Sequence, residues 1–548
     1  MIRRRNGRTN ESGADTVQGQ GTGAWAPSLS LEEMRANLAA NGPELYVGSF
    51  GPRLVWAGPQ QALLVLGPPR SGKTSALVVP NVLAAPGPLI VTSTKPEVLT
   101  ATLASRSQLG RCWLLDPTGS LPEMPGAEVL RWSPIQASCS WEESLVTARV
   151  MTATARPQGH YGESAHWTER AEALLAPMFH AAAIAGAGTR DVLGWVLRHD
   201  LVTPMALLGH CGGAAGSVAA DVLAGIADTE ERERSGIFST AAGTLAAYRS
   251  ERALELAGPA NFDPANFPHG RDTVYVCAPA RFQALMAPIV VAFLEQVRAA
   301  TYRAAADLTL RLPVTLVLDE VANVAPLPDL PAMVSEGGGQ GLLTLACLQD
   351  LSQARGRWGQ AAEGFFSLFG TKVLLPGIGD IATLEAVSRL AGQTDVQVRS
   401  LTSSAWWSGR PSSNTTLSWR RQARLPVDKI YGLPPGSALM LSTARPPQPV
   451  ALAPWWSFPP FPEALAARLP PRWVAARPGG WPGTSPVVGQ GAAPAAAEGN
   501  VLRTGMPLPP PPPRPKPGAR SPGGANEVEV SWQKVAGQRR LHPPPPQL

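Results

Sequence analysis

Apolar residues along this chain alternate between short unbroken runs and longer stretches with helical spacing. Short apolar runs bounded by Gly, Pro or charged residues are typical of buried strands in a parallel sheet. A hairpin is predicted over residues 45–58, just before the first such run. The alternation of strand runs with helical segments predicts an α/β fold with a central, mostly parallel sheet. The predicted strands lie within residues 62–66, 88–93, 112–115, 272–279, 314–318, 342–347, 371–375 and 438–442.

The pattern changes between residues 141 and 258, where apolar residues recur at helical spacing and strand signals vanish. The clearest helices of this segment are predicted over 171–184 and 217–226. We therefore predict an all-helical insert within the α/β domain. Outside it, helices are predicted over 285–302 and 382–390, and a short one after Ser30, which has Glu33 at capping-box spacing.

These patterns divide the chain into five parts. Residues 1–26 are polar and Gly-rich, which predicts disorder. Residues 27–140 and 259–456 are predicted to form the two parts of the α/β domain, separated by the helical insert at 141–258. From 457 to 548, Pro, Gly and Ala dominate without periodicity, which predicts a disordered tail. Its stretch 508–517 predicts a polyproline II rod, either a docking peptide for a protein partner or a stiff spacer.

The net charge of +6 is concentrated at the two ends of the chain. Residues 1–10 contribute +4 and residues 501–548 contribute +5, so that about −3 is left for the body between them. Any nucleic-acid contact made by the body must therefore be local rather than a broad basic face. The basic ends either touch phosphate or an acidic membrane surface, or are solvated tails.

Cysteine usage and hydropathy predict a cytoplasmic protein. The five cysteines show no C-x-x-C pairing and no His partners at zinc spacing, which favours reduced, mostly buried thiols. No apolar run reaches the length of about 18 residues that a membrane span requires. No apolar segment follows the N-terminal arginines, so a signal peptide is not predicted either.

The strongest chemical signal is a glycine loop between a predicted strand and a predicted helix. Gly67, Gly72, Lys73 and Thr74 fit the spacing G-x-x-x-x-G-K-[ST]. Glycines let backbone N–H groups point at an anion, and the following helix adds its positive end. The loop therefore predicts a nucleotide-phosphate site, with Lys73 on the β- and γ-phosphates and Thr74 on Mg²⁺. The expected binding residues are Gly67, Pro68, Pro69, Arg70, Ser71, Gly72, Lys73, Thr74 and Ser75.

Acidic residues end the predicted strand at 314–318. An Asp in the position of Asp319 holds the water shell of Mg²⁺, and a following Glu, here Glu320, can orient or deprotonate the attacking water. An amide follows the next strand, where it can sense the γ-phosphate; Gln349 is the better candidate and Gln353 the alternative.

A second strand, at 88–93, also ends in polar residues. Lys95 and Glu97 follow it. They either approach the nucleotide or cap the next helix.

Taken in order, these pieces resemble the VirD4/TraG/TraD family, the type IV secretion coupling proteins of conjugation, and within it the actinobacterial branch with a TraM-recognition domain. The resemblance covers roughly residues 45–450. It is carried by the phosphate loop 67–74, the segment 91–97, the helical insert, and the segments 272–279, 318–320, 348–353 and 369–372.

The resemblance implies a RecA-like ATPase that assembles into hexameric rings at the inner face of the cell membrane. Such a protein would pump single-stranded DNA, or a relaxase–DNA complex, towards a type IV secretion channel, with ATP and Mg²⁺ as cofactors. It assigns catalysis to Lys73, Glu320 and Gln349, and metal binding to Thr74 and Asp319. The helical insert would help to select the substrate.

Two departures from the family pattern keep an alternative open. Family members usually begin with transmembrane helices, which are not predicted here, so either a separate membrane subunit recruits the chain or it is a soluble relative with a changed task. The family also tends to carry an arginine before the strand at 342–347, where this chain has Gly337-Gly-Gly-Gln340. Arg355 or Arg357 is a possible substitute. The alternative function is a nucleotide-gated adaptor that binds protein substrates of a secretion system without pumping DNA.

Overall fold

A twelve-stranded sheet forms the centre of the protein, in a computed structural model that describes residues 29–155, 163–403, 413–443 and 445–469. Its strand order is β2-β1-β14-β13-β10-β3-β9-β8-β4-β7-β5-β6, and a separate two-stranded sheet pairs β11 with β12. The strands are β1 Tyr46–Phe50, β2 Arg53–Trp56, β3 Leu63–Leu66, β4 Leu89–Ser93, β5 Cys112–Leu115, β6 Glu128–Val129, β7 Thr273–Cys277, β8 Val314–Leu318, β9 Leu342–Leu348, β10 Thr371–Leu374, β11 Gln393–Ser403, β12 Ser413–Ala423, β13 Ser437–Ser442 and β14 Gln448–Ala451.

The sheet is parallel from β10 to β6 and antiparallel at its other end, which confirms the predicted mostly parallel α/β class. Alternate residues of a strand point to opposite faces, so each central strand contributes to two cores. On β3, Leu64 and Leu66 belong to one core, and Leu63 and Val65 to the other. Burial on both faces explains why these strands appear in the sequence as unbroken apolar runs.

Helices occupy the connections between the parallel strands. The run from α4 to α10 lies between β6 and β7, where the sequence predicts the helical insert. The helices are α1 Leu31–Asn41, α2 Val79–Ala84, α3 Glu97–Arg106, α4 Trp141–Ala155, α5 Glu163–Ala185, α6 Thr189–Arg198, α7 Val202–Cys211, α8 Gly213–Ala227, α9 Glu231–Thr244, α10 Glu251–Leu256, α11 Gln283–Ala306, α12 Val321–Val324, α13 Leu330–Glu336, α14 Leu351–Trp358, α15 Phe365–Leu368, α16 Ile381–Ala391 and α17 Val427–Tyr431.

Two features differ from the predicted elements, and a third agrees with them. Strand β14 follows the strand predicted to be the last, at 438–442, and pairs with both β13 and β1. The β11–β12 hairpin was not predicted, because its residues are mostly polar and lack an apolar run. The capping box at Ser30 and Glu33 is confirmed, with Ser30 as the N-cap of α1.

Residues 457–469, which the sequence assigns to the disordered tail, include side chains that pack against the domain. Phe461 is 1% exposed, and its ring lies 5.2 Å from that of Tyr46 on β1, in an edge contact. A large buried aromatic side chain outweighs the Pro-rich composition around it. The predicted disorder of residues 1–26, the polyproline rod and the rest of the tail beyond 469 lie outside the described residues.

One helix in the described residues, Ala280–Ala306, is long and apolar enough to cross a membrane by length and composition. It contains α11, and 67% of its apolar window is buried inside the protein. Residues such as Phe293 and Val297 pack in the core, which is typical of a central helix in a folded domain.

The cysteines of the described residues are not joined by disulfide bonds. Cys112, Cys277 and Cys347 lie on strands and are buried, whereas Cys139 and Cys211 are exposed. Burial raises the pKa of the Cys277 thiol to about 12.

Candidate active site

The glycine loop connects β3 to a helical turn over Thr74–Val78 that continues into α2. The Gly67 N–H donates to the Leu348 carbonyl at 3.1 Å, which ties the loop to the end of the neighbouring strand β9. A Cβ at Gly67 would lie 2.7 Å from the Ser71 hydroxyl oxygen and 3.0 Å from Cβ of Leu375. A side chain at this position would force both neighbours to shift, which favours glycine.

The loop turns through two residues in the left-handed region, Arg70 with φ of 65° and Gly72 with φ of 93°. A left-handed conformation is easy for Gly72 but costs on the order of 1 kcal/mol for Arg70. The Ser71 hydroxyl within this curl is buried and finds no hydrogen-bond partner among the described residues. A curled loop with an orphaned buried hydroxyl is suited to an oxygen-rich anion.

The Lys73 amine lies over the loop that precedes it. It donates to the carbonyl of Gly67 and, at 2.9 Å, to that of Pro68. Both acceptors are neutral backbone groups, so a phosphate oxygen would make the stronger, charge-assisted hydrogen bond.

The structure brings the acidic pair to the same place. The Thr74 hydroxyl donates to the Asp319 carboxylate at 3.2 Å, across a sequence separation of 245 residues. The glycine loop follows β3 and the acidic pair follows β8. In the sheet that the structure describes, only strand β9 lies between these two strands. Because both strands are parallel, their carboxyl ends meet at the same edge of the sheet.

Asp319 is only 7% exposed, and its surroundings shift the pKa of its carboxyl group in both directions. Burial, together with the neighbouring charge of Glu320, raises its pKa to about 6, while Lys73 and the Thr74 hydroxyl act in the opposite direction. A divalent cation at this carboxylate would favour its ionised form in the same way as Lys73 does.

Glu320 is half-buried and adopts φ of 51° and ψ of 50°, at the N-cap of α12. Its carbonyl accepts hydrogen bonds from the N–H groups of Asn323 at 2.9 Å and Val324 at 3.1 Å. A left-handed conformation at a non-glycine residue stores strain, and such residues cluster at functional sites.

The amides predicted beyond β9 have different environments. The Gln353 side chain accepts a hydrogen bond from the Gln349 N–H at 3.0 Å, whereas Asp350 is the N-cap of α14. Gln349 itself directly follows β9, the strand between the glycine loop and the acids. This placement agrees with the preference for Gln349 over Gln353, whereas its role stays a prediction.

The remaining candidates are Lys95, Glu97, Arg355 and Arg357. Lys95 is exposed, and Glu97 begins α3. Arg355 forms an ion pair with Asp380 at 3.0 Å. Arg357 donates to the carbonyls of Thr154 and Pro326. Both arginines proposed as substitutes are therefore held by partners in their own chain.

Sequence reasoning missed the groups that hold the acidic strand end. The Thr92 hydroxyl on β4 donates to the Asp319 carbonyl at 3.1 Å and fixes the backbone there. The pairing of β4 beside β8 creates this contact, and pairing order cannot be read from one sequence. In the sequence, the polar residues at the end of the strand predicted at 88–93 were the signal that could have indicated this contact.

The donors at this edge are hard oxygens, the kind that Mg²⁺ prefers, and they face a loop built for phosphate. Thr74 and Asp319 would hold such an ion, Lys73 and the loop N–H groups would hold a polyphosphate, and Glu320 follows directly after the metal-side carboxylate. The residues present therefore fit a nucleotide with a divalent cation.

Comparison with known proteins points to one family. The family model for Type IV secretory system Conjugative DNA transfer matches residues 30–471. The Conjugal transfer protein TraG of Escherichia coli is 25% identical over 413 residues, which cover 68% of this chain and 62% of that protein. This chain thus aligns with less than two thirds of that relative's length.

Solved structures share the fold. The unbound bacterial conjugative coupling protein TrwBdeltaN70 matches with a TM-score of 0.56 at 16% identity, over 78% of this chain and 92% of that one. The plasmid coupling protein TrwB in complex with an ATP analogue matches with a TM-score of 0.54 at 18% identity, covering 72% and 86%. TrwB in complex with ADP and Mg²⁺ gives 0.53 at 18% identity with the same coverage.

The match to the family model covers most of the chain, from the first helix to the end of the described residues. The assignment to an actinobacterial branch and to a TraM-recognition domain stays a prediction, as do the domain boundaries. The chain belongs to the Type IV secretory system Conjugative DNA transfer family, the TraG-type coupling proteins that its motifs resemble.

Proposed function

We propose that this protein binds ATP with Mg²⁺, hydrolyses it, and uses hydrolysis to move DNA towards a type IV secretion channel. The observation that carries the proposal is the 3.2 Å contact between Thr74 and Asp319, which joins the glycine loop to the acidic strand end. TrwB, which shares the fold, is described in complexes with an ATP analogue and with ADP and Mg²⁺.

Each residue then has a role that follows from its position. The N–H groups of the loop and the Lys73 amine bind the phosphates, and Lys73 leaves the carbonyls of Gly67 and Pro68 to do so. Thr74 and Asp319 bind Mg²⁺, which supplies charge neutralisation on the phosphates when bound. Glu320 accepts a proton from the attacking water. Gln349 responds to the γ-phosphate.

We further propose single-stranded DNA or a relaxase–DNA complex as the cargo, and a homo-hexamer as the active form. The protein would act at the inner face of the cell membrane, docked on the secretion channel or on a membrane anchor subunit. Family membership supports this placement, and the Pro-rich tail is a candidate docking segment for a protein partner.

The test is the rate of ATP hydrolysis with and without single-stranded DNA, in the parent chain and in Lys73→Ala. The parent rate should rise with DNA, and Lys73→Ala should lose about 100-fold or more, because a charged donor to the phosphates is removed. Lys429→Ala on α17 is the matched control, since Lys429 is exposed and lies on an element away from the loop. Undiminished hydrolysis in Lys73→Ala would refute the site assignment.

A second candidate, a nucleotide-gated adaptor for protein substrates, is favoured by one observation. Arg355 and Arg357 both have partners within their own chain, which either arginine would have to leave in order to reach a neighbour's nucleotide. An adaptor would bind ATP and a protein partner through its tail, and its hydrolysis rate would not respond to DNA. The same assay therefore separates the two candidates.

A further inference from the structure

The β11–β12 hairpin is a long ribbon that stands apart from the central sheet. The two strands pair over their full eleven residues, from Gln393 opposite Ala423 to Ser403 opposite Ser413. Residues 393–400 and 415–422 are all exposed, on both faces of the ribbon. The root is fixed to the domain, because the Arg424 N–H donates to the Gly392 carbonyl at 2.9 Å and Ser388 donates to the Leu425 carbonyl at 2.6 Å.

An exposed two-stranded ribbon is marginally stable in water on its own. This ribbon also presents large apolar side chains to solvent, with Trp419 at 71% exposed and Leu417 at 52%. Exposed aromatic side chains on a projecting element are typical of a binding surface.

The register separates the ribbon into two different faces. Residues paired across an antiparallel ribbon share a face, and alternate pairs face opposite ways. One face, here called the Trp419 face, presents the pairs Gln397–Trp419, Arg399–Leu417 and Asp395–Arg421. The opposite face presents Val396–Arg420, Val398–Ser418 and Thr394–Gln422.

On the Trp419 face, a guanidinium lies on each side of the indole. Arg421 is two residues from Trp419 on the same strand, towards the root, and Arg399 belongs to the next pair towards the tip. Arg421 has a long contact of 3.7 Å with Asp395, and both side chains are more than half exposed, so this ion pair is weak. Arg399 has no carboxylate within ion-pair distance among the described residues.

The ribbon is therefore a local basic element on a body that is otherwise slightly acidic. Its described residues carry three arginines, Arg399, Arg420 and Arg421, against the single acid Asp395. The chain between its basic ends carries about −3, so the net charge of the ribbon has the opposite sign to that of the body taken together.

We infer that the Trp419 face binds single-stranded DNA, with a base stacked on Trp419 and phosphates bound by Arg399 and Arg421. Aromatic side chains interleaved with arginines are how proteins bind single strands without sequence preference. The choice of DNA rests on the proposed function, whereas binding at the ribbon does not depend on ATP hydrolysis.

A second copy of the chain is the main competing occupant. Pairing with another strand would use the outer backbone edges of β11 or β12, and it would not require an indole between two guanidinium groups on one face. The side-chain chemistry therefore favours a ligand that has both aromatic bases and phosphates.

The test measures binding of the full chain to fluorescein-labelled oligo(dT) by anisotropy, over a series of salt concentrations. Trp419→Ala should weaken binding about five- to a hundred-fold, because base stacking is lost. Arg399→Gln should reduce the slope of log K against log salt by about 0.7, the value for one phosphate contact on a single strand. Trp419→Phe, which keeps a ring, should recover most of the affinity.

Two controls test whether binding is specific to the Trp419 face and to a ligand with bases. Arg420→Gln removes the same charge from the opposite face and should leave the salt slope nearly unchanged. Heparin, a polyanion without bases, should bind parent and Trp419→Ala equally well.

Equal binding of oligo(dT) by parent, Trp419→Ala and Arg399→Gln would overturn the inference. It would also be overturned if these variants altered only the oligomeric state in sedimentation. Because Lys73→Ala removes hydrolysis and leaves the ribbon intact, loss of the proposed ATPase function and loss of ribbon binding are read separately. The substituted side chains are exposed, so we expect the variants to be as stable as the parent. An unfolding midpoint equal to that of the parent verifies the fold of each variant.

Discussion

Glu320 has an unusual backbone for the residue that follows the metal-side carboxylate. Its left-handed conformation directs the chain away from β8 directly into α12. The sequence identified Glu320 from its place after an apolar strand, and the structure adds the strain. The strain could not be predicted, because nothing in an Asp-Glu pair specifies a positive φ.

Glu320→Gln should separate nucleotide binding from hydrolysis. The glutamine keeps the size of the side chain but cannot accept the proton of the attacking water. We expect hydrolysis to fall by about 100-fold or more, the usual contribution of a general base, with ATP affinity nearly unchanged. Steady-state rates and equilibrium binding of a fluorescent ATP analogue measure the two quantities. A variant that hydrolyses ATP at the parent rate would rule out Glu320 as the base.

Asp319 is expected to reduce the stability of the protein in the absence of metal. Its folded-state pKa of about 6 lies above its ordinary value, so the folded state binds a proton more tightly than the unfolded state. The free energy of unfolding therefore decreases as the pH rises from about 4 to 6, and the loss persists above that range.

Asp319→Asn cannot ionise and should escape this loss. In a buffer with a metal chelator, we expect the variant to be more stable than the parent by about 2–3 kcal/mol at neutral pH. Urea unfolding followed by tryptophan fluorescence measures the difference, which should approach zero near pH 4. A difference that is the same at both pH values would contradict the proposed origin of the pKa shift.

Among the elements, the connection between α2 and β4 is held by a buried arginine on α3. Arg106, at the end of α3, is 0% exposed. Its guanidinium donates to the carbonyls of Ala85 and Gly87 and, at 2.8 Å, to the Thr273 hydroxyl on β7. Arginine at the end of a helix is ordinarily a surface residue, so its burial was not predictable from sequence.

Arg106→Met should destabilise the protein strongly. The apolar replacement fills similar space but leaves two buried carbonyls and a hydroxyl without a donor, each costing about 1–3 kcal/mol. We expect a loss of about 3 kcal/mol or more in urea unfolding. Arg303→Met on α11 is the control, because Arg303 is 58% exposed and its ion pair with Glu143 is worth less than about 1 kcal/mol. Equal effects in the two variants would show that the buried hydrogen bonds contribute little.

The predictability of the elements follows their burial. Strands β3, β4, β7, β8 and β9 are buried on both faces and were found from their apolar runs. The β11–β12 ribbon has no buried face, so its hydrophobic pattern carries no signal of a strand. Strand β14 is short and contains Pro449, so its sequence gives no clear strand signal. Its pairing with β13 and β1 defines it as a strand.

For the protein as a unit, sequence predicted the fold class and the meeting of the glycine loop with the acids. It did not predict the strand order, since β3 pairs with β9 and β4 pairs with β8, and each pair joins segments hundreds of residues apart. The Thr92 contact to Asp319 and the tie from Gly67 to Leu348 depend on that order. Motif spacing therefore located the site, and tertiary pairing determined what supports it.

The proposed ring assembly predicts a change of mass with ligands. With ATP, Mg²⁺ and single-stranded DNA together, Glu320→Gln should accumulate as a hexamer, because binding is retained and hydrolysis is blocked. Mass photometry measures this directly, with Lys73→Ala as the control that should not assemble in response to ATP. A monomer of Glu320→Gln under all conditions would contradict the ring and favour the adaptor.

The most direct measurement for the central claim is the structure of this chain with Mg²⁺ and a non-hydrolysable ATP analogue. We expect the Lys73 amine to leave the carbonyls of Gly67 and Pro68 for the phosphates, with the metal between Thr74 and Asp319. A triphosphate bound at another edge of the sheet, or a Lys73 amine still on its own loop with nucleotide present, would contradict it.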